Sequence, residues 1–390
     1  MNSDAHVFVL MDALGWPVAE THAFLSDLLP YRRPLRTILG FSSGAIPSIL
    51  TGLAPDRHGR WTLLYFDPAR SRFRWLRPAR WLPERSLNNR LTRHGLKWLG
   101  RRVLGCGPGF ECCVRPQLLP WFAWAESRDL YQPGSLESTP NVFDEWKEAG
   151  LQFRIYSYRQ GGDLDLLRRA ADDLEAGRAH VFFIYLCELD NFLHRRRGDS
   201  PAERAFLGRY DAPLRRLYRA QERLNRVVNF HVFSDHGMTP VTRREDLAGA
   251  LAGLEWRMPQ HYLAVLDSTL ARFWFFHPEA ETAIRGWCER QGCGRILSAT
   301  ELRQHGLWFP DGRYGQMIYL LPPGCMFARS DFHGGGWNPI AMHGYHPDDA
   351  NSDAVLLSSR PLPPEMKDIR DLAGVLRGPL AGALHTAGAA

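Results

Sequence analysis

The sequence predicts an α/β fold. A mostly parallel central sheet is flanked by helices, and a smaller α+β cap is inserted late in the chain. Three observations predict it. Apolar runs that end in an acid occur at 7–12, 181–190 and 229–235, closing on Asp12, Asp190 and Asp235. Near-continuous apolar runs read as strands buried on both faces of a parallel sheet. Helical patterns lie between them, as crossover connections require. A later block, 246–335, mixes short strands with one helical pattern. Ligands of open α/β sheets bind outside the carboxyl ends of the strands, so the three acids are expected to converge.

In order, the first strand ends at Asp12, and Gly15-Trp16-Pro17 turns the chain into a helix expected to run to about Leu29. A short strand is expected over 34–39. Small residues from Gly40 to Gly44 then precede an apolar helical pattern through Thr51. That puts Ser42 or Ser43 at a helix N-terminus, where the first N–H groups and the dipole favour an anion; a plain N-cap serine is the alternative. A strand over 152–157, a helix over 163–177, the strand ending at Asp190 and a helix over 201–227 follow. Leu207, Leu214, Leu217 and Leu224 of the last helix fall at core spacing. The catalytic core is expected to span 1–245 and 336–390, with an insertion at about 60–135 and the cap at 246–335. Gly334-Gly335-Gly336 marks the re-entry, and a last strand lies near 354–357.

The bulk numbers exclude several classes. The 390 residues are 45% hydrophobic and 23% charged, an ordinary globular composition. The net charge of +6 favours anionic partners. Seven cysteines, an odd count with no C-x-x-C and with Cys112 beside Cys113, give no disulfide framework, so a reducing compartment is expected. The first residues lack the basic and apolar regions of a signal peptide, and no apolar stretch of about 20 residues is present. The expected location is cytoplasmic.

Residues 60–102 differ from the rest. Arginines and tryptophans interleave from Arg70 to Arg102, and the acids are Asp67 and Glu84. Pro68, Pro78 and Pro83 argue against one long helix. One reading is a solvated insertion whose tryptophans pack on the body. The other is a surface for a polyanionic substrate or for anionic lipid headgroups, giving peripheral membrane contact. No nucleic-acid motif is present.

The chemistry lies in four groups: Asp12; Asp190 with His194; Asp235 with His236; and His343. Mixed carboxylate and imidazole ligands suit zinc, and also manganese or iron. Two such ions about 4 Å apart clamp the attacking and leaving oxygens of an in-line displacement. A hydroxyl beside them becomes a nucleophile near neutral pH.

These residues resemble the alkaline phosphatase superfamily, in particular its nucleotide pyrophosphatase/phosphodiesterase branch, over 12 to about 361. Asp12 matches the acid after the first strand. The family nucleophile lies nine residues before the threonine of a Thr-Gly, with Pro-x-x-His-Gly beyond; Thr51-Gly52 and Pro55 to Gly59 fit, and Ser42 falls at the nucleophile. Asp190 and His194 match Asp-x-x-x-His, Ser234 to Met238 match Ser-Asp-His-Gly-Met, and His343 to Tyr345 match the late His-Gly-Tyr. The resemblance implies one metal held by Asp190, His194 and His343, and another by Asp12, Asp235 and His236, with Ser42 bridging. Zinc is the first expectation for both ions and manganese the second.

Three departures stand out. Serine replaces the threonine usual in that branch. Ala45 stands where the branch has an asparagine, so the Ser43 or Gly44 backbone N–H would have to stabilise the phosphoryl oxygen. The Cys/Ser-x-Pro-x-Arg sequence of sulfatases is missing. The implied activity is phosphodiester or pyrophosphate hydrolysis through a covalent Ser42 intermediate, on an anionic phosphate ester such as a nucleotide or a lipid-linked ester. A phosphotransferase, a phosphomonoesterase or a metal-binding module without turnover are the rivals.

Overall fold

The computed structural model describes residues 4–81, 88–106, 110, 114–137, 139–224, 227–331 and 338–381. Cys112, Cys113 and Gly334 to Gly336 lie outside them. The chain divides into two compact units, Met1–His58, Leu130–Pro240 and Pro347–Ala390 in the first, Gly59–Asp129 and Val241–His346 in the second.

The first unit is built on a six-stranded sheet in the order Tyr31–Leu35, Ala354–Ser358, Asn229–Phe233, His6–Met11, Val181–Leu186, Phe153–Tyr156. His6–Met11 at its centre pairs in parallel with Val181–Leu186 and Asn229–Phe233, and Phe153–Tyr156 is parallel too. Ala354–Ser358 runs antiparallel to both its neighbours. Both faces are covered, as a mostly parallel sheet requires. Phe8 and Leu10 join a core with Ala45, Ile46, Ile49 and Leu50 of helix Ser42–Thr51 and with Phe143 and Trp146 of helix Val142–Glu148. Val7 and Val9, pointing the other way, are also fully buried.

Four expectations change. The first helix is Trp16–Thr21 and stops there, because Ala23 and Leu25 take left-handed conformations (φ 45° and 52°) that an α-helix excludes. The second strand is Tyr31–Leu35 rather than 34–39; it is an edge strand, where Pro34 costs no ladder bond. Strand Val181–Leu186 ends four residues before Asp190, which sits instead in helix Glu188–Arg196. Leu207, Leu214 and Leu217 are buried, but Leu224, the last residue of helix Ser200–Leu224, is 50% exposed.

The second unit carries a four-stranded antiparallel sheet in the order Tyr262–Asp267, Leu270–Phe275, Met317–Leu320, Arg295–Ile296. One face, with Tyr262, Ala264 and Leu266, packs on Ile284 and Cys288 of helix Pro278–Arg290 and on Leu247 and Leu251. The other face, with Leu263, Val265 and Trp274, receives Leu64, Phe73, Leu96, Phe110 and Phe122. The Arg/Trp-rich stretch therefore shares a core with the late strands. Buried Arg272 is satisfied by Asp267 and by the Leu64 carbonyl at 2.8 Å, so the charge is not left unpaired.

Candidate active site

Asp12 follows the central strand directly; its N–H still donates to the Leu186 carbonyl at 2.9 Å. Asp235 and His236 come two and three residues after Asn229–Phe233, the strand next to it. Parallel neighbours in register end together, so residues more than 220 apart in sequence reach one place. An Asp12 oxygen, an Asp235 oxygen and a His236 ring nitrogen all lie within 4.8 Å of one another.

The backbone around this cluster is tightly fixed. The Ala13 N–H lies 3.4 Å from Asp235 Oδ1, and the Thr37 hydroxyl donates to the Asp235 carbonyl at 2.7 Å. The Ser234 hydroxyl donates to the Leu14 carbonyl at 2.7 Å. Gly237 is obligatory: a Cβ there would sit 2.1 Å from the Asn351 carbonyl oxygen. The Tyr185 hydroxyl donates to Asp12 Oδ2.

His236 Nδ1 lies 2.9 Å from the Gly237 carbonyl. A carbonyl only accepts, so Nδ1 carries the proton and Nε2 offers a lone pair. Nε2 faces Asp12 Oδ1 and Asp235 Oδ2, each at 3.4 Å, and the Ser42 hydroxyl at 3.0 Å. Both of those carboxylate oxygens are buried without a hydrogen-bond donor. Burial, reinforced by the negative charges of Asp235 and Asp190, pushes the Asp12 carboxyl well above its usual range. Two orphaned carboxylate oxygens and an imidazole lone pair, converging in a buried place, fit a divalent cation.

Asp190 and His194 lie one turn apart on helix Glu188–Arg196, with His194 Nε2 3.3 Å from Asp190 Oδ1. The helix start is held by Asp163, whose carboxylate accepts the Cys187 and Glu188 N–H groups, both at 3.0 Å, and the Tyr210 hydroxyl at 2.7 Å. Glu188 in return accepts the Asp163 N–H at 3.0 Å. Burial pushes the Asp163 carboxyl up, and these donors only partly offset it. His343 belongs to the second unit, buried just after the short strand Ala341–Met342. There the Thr269 hydroxyl donates to the Gly344 carbonyl at 2.9 Å and fixes the backbone beside it.

Ser42 is the first residue of its helix, and Phe41, not a serine, is the N-cap. The Ser42 hydroxyl is thus directed to His236 and not to its own helix. Ala45 is buried in the core. The Gly44 N–H donates to the Phe41 carbonyl at 2.8 Å, so it is engaged within the first turn of the helix. Sequence reasoning missed Tyr185, Thr37 and Asp163. Tyr185 and Thr37 had no spacing signal, and Asp163 only opened an expected helix.

An acid–imidazole cluster at the strand ends of a doubly covered sheet defines the class: a cation-accepting centre on an alkaline phosphatase-like α/β fold. The chain belongs to the type I phosphodiesterase / nucleotide pyrophosphatase family, which matches residues 42–270, more than half of its length. The family is a metal-dependent phosphoesterase type within the alkaline phosphatase superfamily, and the chain is a hydrolase of phosphoester bonds. The match begins at Ser42 and includes Asp190, His194, Asp235 and His236; Asp12 and His343 fall outside it. Comparison with curated proteins gives no significant match.

Solved structures share the fold. Murine ectonucleotide pyrophosphatase/phosphodiesterase 5, an inactive form in complex with AMP, aligns with a TM-score of 0.68 at 15% identity, covering 97% of this chain and 95% of that one. The human protein of the same name aligns at 0.69 and 13%, with the same coverage. Phosphonoacetate hydrolase from Sinorhizobium meliloti, in complex with phosphonoformate, aligns at 0.63 and 13%, covering 97% and 96%.

Proposed function

We propose that the chain is a phosphodiesterase or pyrophosphatase in which Ser42 is the nucleophile and two divalent cations, zinc first and manganese second, complete the site. The observation that carries this reading is the Ser42 hydroxyl 3.0 Å from His236 Nε2, beside the two orphaned carboxylate oxygens. Asp12, Asp235 and His236 would hold one ion; Asp190 and His194 would contribute to holding the other. When bound, the ions supply Lewis-acid charge that favours the serine alkoxide and offsets the charge on the phosphoryl oxygens.

Ser42 Oγ forms a bond to phosphorus as the bond from phosphorus to the leaving oxygen breaks. Its proton passes to solvent and one returns to the leaving alcohol. Water then cleaves the Ser42–phosphorus bond and restores the hydroxyl. One water is consumed for each ester split. Ser42 is the first residue of helix Ser42–Thr51, so the positive end of the helix dipole lies beside the growing negative charge. Asp12 is held by Tyr185 and His236 by the Gly237 carbonyl, so the ligands need little reorganisation.

The substrate is an anionic phosphate ester. AMP and phosphonoformate in the structural neighbours support this class, and both nucleotide and lipid-linked esters fit it. Five described cysteines carry free thiols, which supports a cytoplasmic protein. The test is a panel of aryl phosphate mono- and diesters, before and after chelation. The reading expects faster diester turnover, loss on chelation and recovery with zinc or manganese. Faster monoester turnover, or activity that survives removal of all transition metal, overturns it. Transfer to an added alcohol in preference to water marks a phosphotransferase.

A further inference from the structure

Helix Arg90–Arg102 of the second unit has two unlike faces. On the inner one, Leu96 and Gly100 are buried. A Cβ on Gly100 would lie 2.5 Å from the ring of Phe110, which stacks on Phe73 at 5.4 Å. The helix therefore seats directly on that ring pair, and only glycine permits the approach. Asn89 caps it, accepting the Thr92 N–H at 2.9 Å, and Arg101 Nε donates to the Phe110 carbonyl at 2.7 Å. The direction of the outer face is thus set by packing.

That outer face is apolar at its centre and basic at its flank. Leu91 and Trp98, two turns apart and on one line of the helix, are 85% and 58% exposed. Arg90 and Lys97 lie on the adjoining line, and Arg102 continues the Leu91–Trp98 line by one turn. The helix carries five lysine or arginine residues and no acid. His94, Lys97, Trp98, Arg101 and Arg102 border a recess of about 430 Å³. On the neighbouring turn Arg74–Trp81, Trp75 is 52% exposed between Arg74 and Arg77. A scattered exposed leucine needs no explanation. An exposed tryptophan in line with a leucine, on a helix that carries cations and no acid, is the pattern of a helix lying at a lipid interface: indole at the polar–apolar boundary, cations on phosphates.

We infer that helix Arg90–Arg102 docks this protein on an anionic lipid surface, with Leu91 and Trp98 entering the acyl boundary and Arg90, Lys97 and Arg102 meeting headgroup phosphates. Charge complementarity selects this occupant. A second copy of the chain would set this basic face against the same basic face in a two-fold contact. A nucleic acid would use the cations but gives Leu91 and Trp98 nothing apolar to enter. No described helix is long and apolar enough to cross a membrane, so the contact is peripheral. The inference stands independently of the hydrolase reading.

The test is flotation of the full-length protein with phosphatidylcholine vesicles and with vesicles containing phosphatidylglycerol, at low and high salt. Binding is expected only to the anionic vesicles and should weaken about tenfold at high salt. Leu91→Ser with Trp98→Ala should lose about tenfold in partitioning, as should Arg90→Gln, Lys97→Gln and Arg102→Gln together. Arg90→Lys with Arg102→Lys keeps the charge and should bind like wild type. Melting temperature reports whether each variant is folded, and Trp98→Phe, the mildest change, should remove most of the quenching by brominated lipid. Four results overturn the inference: no flotation of wild type, equal binding to neutral vesicles, a Leu91/Trp98 variant that floats like wild type and binds heparin equally well, or a concentration-dependent dimer abolished by Trp98→Ala.

Discussion

The two acid–imidazole sets of the first unit are built by opposite means. Asp12, Asp235 and His236 come from two strands far apart in sequence and meet only when the sheet is in register. Asp190 and His194 are four residues apart on one helix and meet as soon as it forms. The first set is clamped by Ala13, Thr37 and Tyr185 and by the close approach at Gly237. The second depends on where its helix begins, which Asp163 fixes. The non-local set should therefore be the stiffer one and the local set the more adjustable.

Removing a carboxylate from each set tests that contrast most strongly. Asp12→Asn and Asp190→Asn should each lower diester hydrolysis by about 10²–10³-fold or more, with loss of about one ion per chain by elemental analysis. Their metal-free proteins should diverge. Asp12→Asn should raise the melting temperature, because burial and the charges of Asp235 and Asp190 already disfavour the Asp12 carboxylate. Asp190→Asn should change it little. Equal shifts in both would show that the two sets are equally strained.

Smaller effects follow from the groups behind these carboxylates. Tyr185→Phe should weaken metal binding about 10–100-fold by chelator competition, since it frees Asp12 to rotate. Asp163→Ala should weaken metal binding less than Tyr185→Phe does, because the local set can readjust. It orphans the Cys187 and Glu188 N–H groups at a cost of roughly 1–3 kcal/mol in urea unfolding. A large loss of metal in Asp163→Ala with none in Tyr185→Phe would reverse the assignment of stiff and adjustable sets.

The smallest effect tests the strands that carry the first set. Burial pushes His231 of strand Asn229–Phe233 down to about 3 and His6 of the central strand down to about 4. His231 stacks on Phe8 and shares a hydrogen bond with the Ser358 hydroxyl at 3.0 Å. The unfolded chain takes up these protons near pH 6.5, and the folded one only near 3 to 4. The unfolded state thus binds more protons in that window, and stability falls as pH drops from about 6.5 towards 4. His231→Phe should flatten the acid side of the urea-midpoint profile. An unchanged slope would remove His231 as its source.

Much of the fold and part of the candidate site were legible in the chain. Apolar runs buried on both faces mark parallel strands whatever their neighbours, and Asp12 ends one as expected. Asp190 shows the limit. Phe183 to Leu189 is apolar enough to continue a strand, and what turns it into a helix at Glu188 is a carboxylate 25 residues earlier. The short first helix is hidden too: Ala23 and Leu25 are good helix formers, yet both take left-handed conformations here, Leu25 with its side chain buried. The shared core of 59–129 and 241–346 depends on pairing across the sheet faces of the second unit, which no local period reports. Tyr185 looks like any aromatic strand residue until Asp12 is beside it.

The central claim is that Ser42 is the nucleophile, and the most direct measurement is mass spectrometry of metal-loaded enzyme acid-quenched during turnover of an aryl phosphate diester, run beside Ser42→Ala. The account predicts a phosphoryl adduct on the Ser42 peptide of the wild type and none in the variant. Variant turnover should fall by about 10³-fold or more while its metal content stays the same. A variant that turns over within tenfold of wild type, or an adduct on another residue, would contradict it.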